Sequence, residues 1–472
     1  MNKKLTKSLL FLFCLGVAAC QQSMQSGDGN WTYLINDELT GWTKLNGEAT
    51  YRVENGEVIG TTVLNTPNTF LATEKMYGDF ILEYEFKVDP IINSGVQIRS
   101  NSLPDYKDGR VHGYQVEIDP SSRAWTAGIY DEARRGWLYP LEQNPLAREA
   151  FKQNDWNHIR VEAIGSSIRT WLNDVPATDL VDDLTAEGFI ALQVHSIGKE
   201  EMANREIRWR KIRIQTDNLE ARPASEIPVV NRIPNHLSEQ EKGAGWKLLF
   251  DGESTKGWRG VGKEAFPAKG WKVENGELIV EASNGGESTN GGDIVTMDEY
   301  ATFELSLEFK LTEGANSGIK YFITEGYGAK GSAIGLEYQI LDDEKHPDAK
   351  KGSAGNRTIA SLYDLIPAHT SKKPSPIGEW NRARLVVKGV RKHVWPNSRE
   401  EVADFVGAEV EHWLNERKVL AYTRGDQMFD ALVARSKYVN WENFGHWQSG
   451  HILLQDHGDE VRFRSIKIRE LK

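Results

Sequence analysis

The sequence predicts an all-β protein built from two tandem β-sandwich domains. Two stretches of this 472-residue chain carry the same short motifs in the same order. Val-Glu-Asn-Gly-Glu occurs at 53–57 and 273–277, and Asn-Ser-Gly occurs at 93–95 and 316–318. Apolar and polar residues alternate through much of both copies, as at 80–88, which is the pattern of half-buried strands. The chain is too long for one ordinary core, so each copy is predicted to be a whole two-sheet domain.

Turn residues and composition divide the chain into five segments. Three lysines, a short apolar run and Val-Ala-Ala-Cys open the chain. This pattern resembles a bacterial lipobox and predicts lipidation of Cys20 and an outer membrane lipoprotein, periplasmic or surface-facing, with a plain secretory signal as the alternative. The predicted segments are a lipoprotein signal peptide at 1–19, a flexible tether at 20–29, β-sandwich domain 1 at 30–216, a linker at 217–243 and β-sandwich domain 2 at 244–472.

Short helices and inserted loops fill the gaps between the predicted strands. Capping and turn signals predict helices at 145–153, at 238–241 in the linker and at 398–405. Domain 2 is longer than domain 1 mainly because of loops at 285–292, 326–331 and 342–351. Loops carry function on a rigid sandwich, so these three are predicted to frame one rim of a cleft.

Composition and missing motifs exclude several function classes. The formal net charge of −11 argues against a nucleic-acid partner, and membrane contact is predicted through the lipid anchor only. Cys14 lies in the predicted signal peptide and Cys20 is the lipidation site, which leaves no thiol for a disulfide, a nucleophile or a zinc cluster. The chain lacks the Gly-x-Ser-x-Gly elbow, the P-loop, the dinucleotide fingerprint and the His-Glu-x-x-His helix.

Strand alternation assigns several polar residues to one face of each domain. Gln115 and Glu117 lie two residues apart and share a face, as do Glu337 and Gln339 in the second copy. The acid and the amide have exchanged places between the copies. This face is interpreted as a polar cleft, and an outward stripe of solvated side chains is the alternative.

A second pair of polar residues occurs on the last long strand of each copy. Gln193 shares a face with His195, and Gln455 shares a face with His457. Retention of Gln-x-His in both copies favours a site residue, whereas a hydrogen-bonded structural histidine is the alternative.

Cations and a charged loop complete the candidate sites. On the strand after each Asn-Ser-Gly, Gln97 and Arg99 are predicted to share a face, and Lys320 occupies the position of Gln97 in copy two. A cation there could stabilise an anion or enolate, or form a surface salt bridge of little consequence. Arginines in the loop at 130–137 could lower the pKa of Tyr130 for proton transfer, unless the tyrosines only cap the core. The loop residues are Tyr130, Asp131, Arg134, Arg135 and Trp137, answered in copy two by Tyr363 and Asp364.

On these residues the chain resembles the 3-keto-disaccharide hydrolase domain family, a concanavalin-like jelly-roll sandwich. The resemblance covers nearly all of the chain after the signal peptide, and copy one matches less evenly than copy two. The matching motifs in copy two include Phe250-Asp251-Gly252, Asn316-Ser317-Gly318, Glu337-Tyr338-Gln339-Ile340, Leu362-Tyr363-Asp364, Trp413-Leu414-Asn415 and Gln455-Asp456-His457-Gly458.

The resemblance implies a carbohydrate substrate oxidised at C3. A 3-keto group acidifies the C2 proton, so a base can form an enolate and the C1 oxygen can leave, by elimination or by net hydrolysis. In copy two this implies His457 as base or acid, Lys320 as enolate stabiliser, and Glu337 with Tyr363 for proton transfer and positioning. Copy one offers His195, Arg99, Glu117 and Tyr130. The predicted substrate-binding residues are Gln339, Gln455 and Asp364 in copy two, and Gln115, Gln193, Asp131, Arg134, Arg135 and Trp137 in copy one.

Two other functions remain open at this stage. One is a non-catalytic glycan-binding lipoprotein, because sandwich folds also bind sugars without cleaving them. The other assigns catalysis to one copy and substrate capture to the other. The sequence requires no cofactor, and a divalent metal held by Glu337, Asp342 or His457 is left open because the spacing does not indicate one.

Overall fold

The computed structural model describes residues 30–36, 38–284, 286–326, 333–393 and 404–471. The predicted signal peptide, the tether and Cys20 lie outside these residues, as does nearly all of the loop at 326–331. Two tandem β-sandwich domains, the predicted fold class, are confirmed. Among the described residues, no helix has the length and apolarity needed to cross a bilayer.

In the described part of domain 1, two sheets of nine and seven strands pack face to face, and their strands are antiparallel except where β16 pairs parallel with β13. The larger sheet has the order β16-β13-β12-β11-β6-β15-β4-β3, with β1 paired to β15, and the smaller has the order β10-β9-β8-β7-β14-β5-β2. The strands are β1 (Thr32–Tyr33), β2 (Trp42–Asn46), β3 (Thr50–Glu54), β4 (Glu57–Thr61), β5 (Thr69–Thr73), β6 (Phe80–Val88), β7 (Ser94–Asn101), β8 (His112–Ile118), β9 (Ile129–Glu132), β10 (Gly136–Tyr139), β11 (Asn157–Ile164), β12 (Ser167–Leu172), β13 (Val175–Val181), β14 (Phe189–Val194), β15 (Glu206–Gln215) and β16 (Val230–Asn231).

Domain 2 repeats this arrangement with sheets of eight and five strands among its described residues. The larger has the order β19-β20-β29-β22-β25-β26-β27, with β17 paired to β29, and the smaller has the order β18-β21-β28-β23-β24. The strands are β17 (Lys247–Leu248), β18 (Trp258–Gly260), β19 (Trp271–Glu274), β20 (Glu277–Val280), β21 (Ile294–Thr296), β22 (Phe303–Leu311), β23 (Asn316–Glu325), β24 (Ala333–Leu341), β25 (Trp380–His393), β26 (Asp404–Leu414), β27 (Arg417–Arg424), β28 (His451–Leu454) and β29 (Val461–Glu470).

Helices are short, as the sparse helical signal predicted. They are α1 (Pro145–Glu149), α2 (Glu239–Gly243) and α3 (Gln427–Val433). Ser238 caps α2 with a complete capping box, which explains its sequence signal. The helix predicted at 398–405 falls mostly outside the described residues, and its last two residues begin β26 instead.

The core of each domain lies between its two sheets. In domain 1 the alternating residues Leu82, Phe86, Val96 and Val116 are fully buried and pack in one cluster. Because side chains alternate along a strand, the residues between them on the smaller sheet face away from the core. Gln97, Gln115 and Glu117, which alternate with core residues of β7 and β8, therefore lie on the outer face of the smaller sheet of domain 1.

A buried histidine in domain 2 has a specific hydrogen-bonded role. The Nδ1 of His412 lies 3.0 Å from the carbonyl oxygen of Ala360, and its Nε2 lies 3.0 Å from the hydroxyl of Tyr321. The carbonyl can only accept, so the neutral ring donates from Nδ1 and accepts at Nε2. Burial lowers the pKa of His412 from 6.5 to about 4.

This histidine should make folding sensitive to acid. Below pH 6.5 the unfolded chain binds the proton first, so we expect the free energy of unfolding to fall by about 1.4 kcal/mol per pH unit down to about pH 4. His412→Phe should flatten that slope, measured by urea unfolding at several pH values. His236→Gln, at an exposed position, serves as control, and an unchanged slope in His412→Phe would contradict the assignment.

Candidate functional site

Polar side chains of domain 2 meet on the outer face of its smaller sheet. β23 and β24 pair antiparallel in a register that sets Lys320 directly opposite Glu337. Directly opposed residues share a face, with Cβ atoms about 5 Å apart. Glu337 is 6% exposed and the Lys320 side chain is 15% exposed, so both are largely screened from solvent. The predicted pairing of a cation with an acid on this face is therefore present.

Neighbouring charges hold Lys320 in its protonated form. Burial opposes the charged ammonium, but the carboxylates of Glu337, Asp293 and Glu287 outweigh it and raise the pKa of Lys320. Burial raises the pKa of Glu337 against the opposing charge of Lys320. Lys320 is thus a fixed cation rather than a base, and Glu337 is an acid whose proton is held more tightly than usual.

Asp293 is a site residue that the sequence reasoning missed. It lies directly before β21, and its Oδ2 is 3.9 Å from the Lys320 Nζ. Its Oδ1 accepts the backbone N–H of Asp456 at 2.9 Å, and burial raises its pKa. The available signal was its place at the end of the inserted Gly-rich loop at 285–292.

His457 lies at the rim of the same face, between two inserted loops. Its Nε2 is 4.0 Å from a carboxylate oxygen of Glu287, and its ring centroid is 5.8 Å from that of His346. Glu287 belongs to the loop at 285–292 and His346 to the loop at 342–351. These two loops do frame the site, as predicted from their position between strands.

His346, His457 and Asp459 form a candidate set of metal ligands. Each offers one ligand atom, and these atoms lie within 4.8 Å of one another. The Nδ1 of His346 accepts the backbone N–H of Asp348 at 3.2 Å, so its neutral ring carries the proton on Nε2. Ligation through Nε2 would require that tautomer to change. Ligation through Nδ1 would instead break the hydrogen bond from Asp348, and neither Glu337 nor Asp342 belongs to the set.

Tyr363 is held at the site by a charged network. Its hydroxyl donates to Asp348 at 2.7 Å, and Arg357 bonds both Asp348 at 3.0 Å and Asp364 at 2.7 Å. The ammonium of Lys437 lies 4.2 Å from the centre of the Tyr363 ring. Asp364 therefore orients Arg357 and so acts on Tyr363 indirectly. Asp348 lies in the predicted loop at 342–351, whereas no sequence signal marked Arg357 or Lys437.

The structure corrects the prediction that loop arginines lower the pKa of Tyr130. In copy two, burial and the carboxylate of Asp348 raise the pKa of Tyr363. Burial, with Glu132 and Glu117, likewise raises the pKa of Tyr130. Both side chains are therefore hydroxyl donors at neutral pH.

The two amides of domain 2 lie beneath this surface. Gln339 is 1% exposed, and its Oε1 accepts the backbone N–H of Ile340 at 3.1 Å. Gln455 is 5% exposed, and its Oε1 is buried without a hydrogen-bond partner among the described residues. Both support the floor of the site, and any contact with a ligand stays a prediction.

The glycine of each Asn-Ser-Gly motif makes room for the polar residue beside it. A Cβ on Gly318 would lie 2.5 Å from Oε1 of Glu337, and one on Gly95 would lie 2.5 Å from the side-chain Cδ of Gln115. Real Cβ atoms do not approach so closely without displacement of the neighbour. The glycine of the repeated motif is therefore needed for the polar side chain of the neighbouring strand to fit on this face.

Domain 1 has a cleft of about 980 Å³ on the corresponding face. Its floor holds Gln115 and Glu117 side by side, with the Gln115 Nε2 donating to Glu117 at 2.9 Å. Tyr130 and Trp137 form one wall, with ring centroids 5.3 Å apart, and His195 lies on the rim. The interpretation of this face as a polar cleft is confirmed for domain 1.

Glu117 is the most perturbed acid of the domain 1 cleft. It accepts hydrogen bonds from Asn93 at 2.7 Å and Gln115 at 2.9 Å, and it pairs with Arg123 at 3.2 Å. Burial nevertheless raises the pKa of Glu117 to about 7. The carboxyl therefore keeps its proton to a higher pH than an ordinary glutamate does.

A chain of buried amides lies under the domain 1 cleft. Gln97 and Gln193 both donate to Oε1 of Gln115, at 2.6 and 2.8 Å. Ser100 in turn donates to Oε1 of Gln97 at 2.8 Å. This network is neutral, and it fixes the orientation of Gln115 at the cleft floor.

Arg99 does not lie in the domain 1 cleft, contrary to its predicted role. A bulge after Ile98 breaks the alternation, and Arg99 adopts a left-handed backbone conformation with φ +44°. Its guanidinium bonds the carbonyl oxygens of Gly78 and Gly165 and the carboxylate of Asp79. Arg99 therefore does not share the cleft face with Gln97.

Asp131, Arg134 and Arg135 are also placed away from the cleft. Asp131 is fully buried and bonds Arg134 at 2.7 Å and Arg135 at 2.5 Å. Arg135 also pairs with Asp182 at 2.8 Å. Asp131 follows Tyr130 on β9, so the two side chains point to opposite faces. These three residues stabilise the fold instead of lining the sugar site predicted for them.

Comparison with known proteins identifies the family. The model of the 3-keto-alpha-glucoside-1,2-lyase-like domain matches residues 30–215 and 245–469. The chain belongs to this family. A curated relative, the 3-keto-disaccharide hydrolase of Bacteroides thetaiotaomicron, is 35% identical over 249 residues, which cover 48% of this chain and 79% of the relative. The chain is thus a carbohydrate-active protein of the hydrolase type at the level of its family.

Solved structures of similar chains include putative glycosyl hydrolases from Parabacteroides distasonis. One is 28% identical, with a TM-score of 0.41, and the match covers 51% of this chain and 100% of that chain. Another is 25% identical, with a TM-score of 0.33, and the match covers 48% of this chain and 99% of that chain.

The two lyase-like domains align strand by strand through their registers. Leu192 pairs with the residue before Gln97, and Leu454 pairs with the residue before Lys320. Gln97 and Lys320 therefore occupy equivalent positions. The neighbouring strand makes Phe70 equivalent to Asp293. The ammonium of Lys320 and the carboxylate of Asp293 are thus replaced in domain 1 by an amide and a phenyl ring.

Proposed function

We propose that domain 2 cleaves the glycosidic bond of 3-keto-glycosides, including 3-keto-disaccharides, through an enolate at C2. The observation that carries the proposal is the permanent cation of Lys320, held opposite Glu337 in a partly buried face. Family membership supports the 3-keto sugar as substrate, and the name of the Bacteroides relative supports a disaccharide.

The reaction starts with proton abstraction from C2. A base removes this proton, the C–H electron pair forms a C2–C3 double bond, and negative charge moves to the C3 oxygen. Lys320 stabilises that charge from a fixed position, which is the efficient arrangement for electrostatic catalysis. We assign the base to His457 or Glu337. Glu337 lies opposite the Lys320 ammonium, and His457 lies near Glu337.

Loss of the glycosidic oxygen completes the cleavage. The C3 carbonyl reforms, a C1–C2 double bond forms, and the C1–O bond breaks while the leaving oxygen takes a proton from an acid. Glu337, with its raised pKa, and Tyr363, with a hydroxyl that stays protonated, are the candidate donors. Water adding back across C1 and C2 would convert elimination into net hydrolysis.

The substrate class is tested by incubating the full chain with a 3-keto-disaccharide and with the same disaccharide unoxidised. We expect cleavage of the keto sugar only, with and without a chelator, followed by product chromatography and by deuterium uptake at C2 in D₂O. Tight binding of either sugar with no turnover would contradict the proposal and favour the glycan-binding alternative.

Gly318→Ala tests the geometry of the paired strands. We expect at least a tenfold loss in kcat/KM, because the added methyl group must displace the Glu337 carboxyl. A Cβ at Gly243 would meet nothing within 4 Å, so Gly243→Ala is the matched control. Equal kcat/KM for the two variants would show that the position of Glu337 is unimportant.

We further propose that the chain is an outer membrane lipoprotein anchored through Cys20. The motif Val-Ala-Ala-Cys and the Ser-, Gln- and Gly-rich residues after it support this proposal. Wild-type chain should incorporate radiolabelled palmitate and fractionate with membranes, and Cys20→Ala should do neither. Membrane fractionation of an unlabelled Cys20→Ala chain would point to a different mode of attachment.

A further inference from the structure

We infer that the domain 1 cleft binds an uncharged saccharide, ordinary or 3-keto, and holds it without cleaving it. This inference rests on the proposed function, because it assigns capture to one domain and cleavage to the other. The inference follows from two replacements in domain 1: Gln97 occupies the position of Lys320, and Phe70 occupies the position of Asp293.

The domain 1 cleft has no cation at the position of Lys320. The cations of its lining have other partners: Lys107 donates to the carbonyl oxygen of Ala133, Arg110 pairs with Glu132 at 3.0 Å, and Arg123 pairs with Glu117 at 3.2 Å. Gln97 occupies the place of Lys320, and its amide is engaged by Gln115 at 2.6 Å and by Ser100 at 2.8 Å. The nearby guanidinium of Arg99 is bonded at the edge of the sheet, with Asp79 at 2.9 Å. Charge developing on a C3 oxygen would therefore meet a neutral amide network where domain 2 provides an ammonium.

Aromatic and apolar surface takes the place of the catalytic charges. Phe70, at the position of Asp293, is buried beneath the cleft, and the partly exposed rings of Tyr130 and Trp137 present aromatic surface to it. A pyranose ring has flat C–H faces that pack against aromatic rings, while its hydroxyl groups need polar partners. A volume of about 980 Å³ accommodates more than one sugar unit.

Polar partners for hydroxyl groups surround this aromatic wall. Asn93 and Glu117 stand on the floor, and Asn68 and His195 stand on the rim. The Nδ1 of His195 lies 2.7 Å from the carbonyl oxygen of Ser196, so the neutral ring donates there and leaves Nε2 as an acceptor. Donors and acceptors thus alternate around an apolar wall, which is the arrangement a neutral sugar requires.

Binding without cleavage is tested in the full chain carrying Lys320→Met, so that domain 2 cleaves about 10² to 10³ times more slowly than in wild type. Titration calorimetry with a 3-keto-disaccharide, and separately with the unoxidised disaccharide, counts the sites occupied. Adding Trp137→Ala should remove one saccharide per chain at saturation or weaken that site at least tenfold, and Trp137→Phe should restore part of the affinity. Trp156→Ala, which removes a tryptophan stacked on Arg210 in the larger sheet, should leave the count unchanged.

Turnover in the same background separates this inference from the proposed function. Residual cleavage that disappears when Glu117→Gln is added would make domain 1 catalytic and overturn the inference. An unchanged saccharide count in Trp137→Ala, with its circular dichroism intact, would also overturn it. Cleavage that survives Glu117→Gln at more than about a hundredth of the wild-type rate would instead contradict the role of Lys320. The calorimetric count would still decide whether domain 1 binds.

Discussion

Lys320→Met should lower kcat for cleavage of a 3-keto-disaccharide by a factor of about 10² to 10³. Removal of one pre-oriented group that stabilises a developing oxyanion has an effect of this order. Methionine keeps most of the length of the side chain and removes only its charge. The loss should fall mainly on kcat, with KM little changed, because the negative charge exists only after the C2 proton has left.

Deuterium exchange at C2 identifies the step that Lys320 assists. Lys320→Met should lose exchange and cleavage together, because both need the enolate. Lys272→Met removes a lysine of the larger sheet, 3.2 Å from Glu274, and should match wild type. Exchange at the wild-type rate with cleavage lost would place Lys320 in leaving-group departure, contrary to the proposed role.

The two-residue period of strands made the site faces predictable. A strand exposes every second side chain to one face, so Gln115 with Glu117 and Lys320 with Glu337 could be grouped from sequence alone. The two copies also supplied a comparison within one chain. Their shared Asn-Ser-Gly marked the repeat, and the structure adds the reason for its glycine, which makes room for Gln115 in one copy and Glu337 in the other.

The errors of prediction have equally local causes. Arg99 follows a bulge, where one extra residue reverses the alternation, and bulges leave no clear mark in a single sequence. Asp131 was assigned to the cleft because it neighbours Tyr130, although adjacent residues of a strand point to opposite faces. Asp293, His346 and Asp348 come from loops or strand ends, where no periodicity indicates direction.

Charge is buried between the two domains as well as at the site. Glu308 of β22 lies opposite Arg382 of β25 and Arg464 of β29, at 3.3 and 2.7 Å. Arg382 also donates to the carbonyl oxygen of Asn231, which belongs to the linker strand paired with domain 1. The network therefore couples the large sheet of domain 2 to the end of domain 1, and Glu308 is its central acid.

Glu308→Ala should reduce the free energy of unfolding by about 3–5 kcal/mol, because it leaves Arg382 buried without that partner. Burial alone would raise the pKa of Glu308, but Arg382, Arg464 and Arg232 outweigh it and hold the pKa below 4.5. The ionised acid therefore stabilises the fold above pH 4.5, and this contribution is lost as the pH falls through the folded-state value.

The difference between wild type and Glu308→Ala should accordingly shrink as unfolding in urea is repeated from pH 7 to below pH 4. Glu274→Ala removes the partner of Lys272 in an exposed pair at 3.2 Å and should change stability by less than about 1 kcal/mol. Equal effects of the two substitutions would mean that solvent screens the Glu308 network. Loss of the domain 1 unfolding transition in Glu308→Ala, alongside that of domain 2, would show that the network transmits stability across the linker.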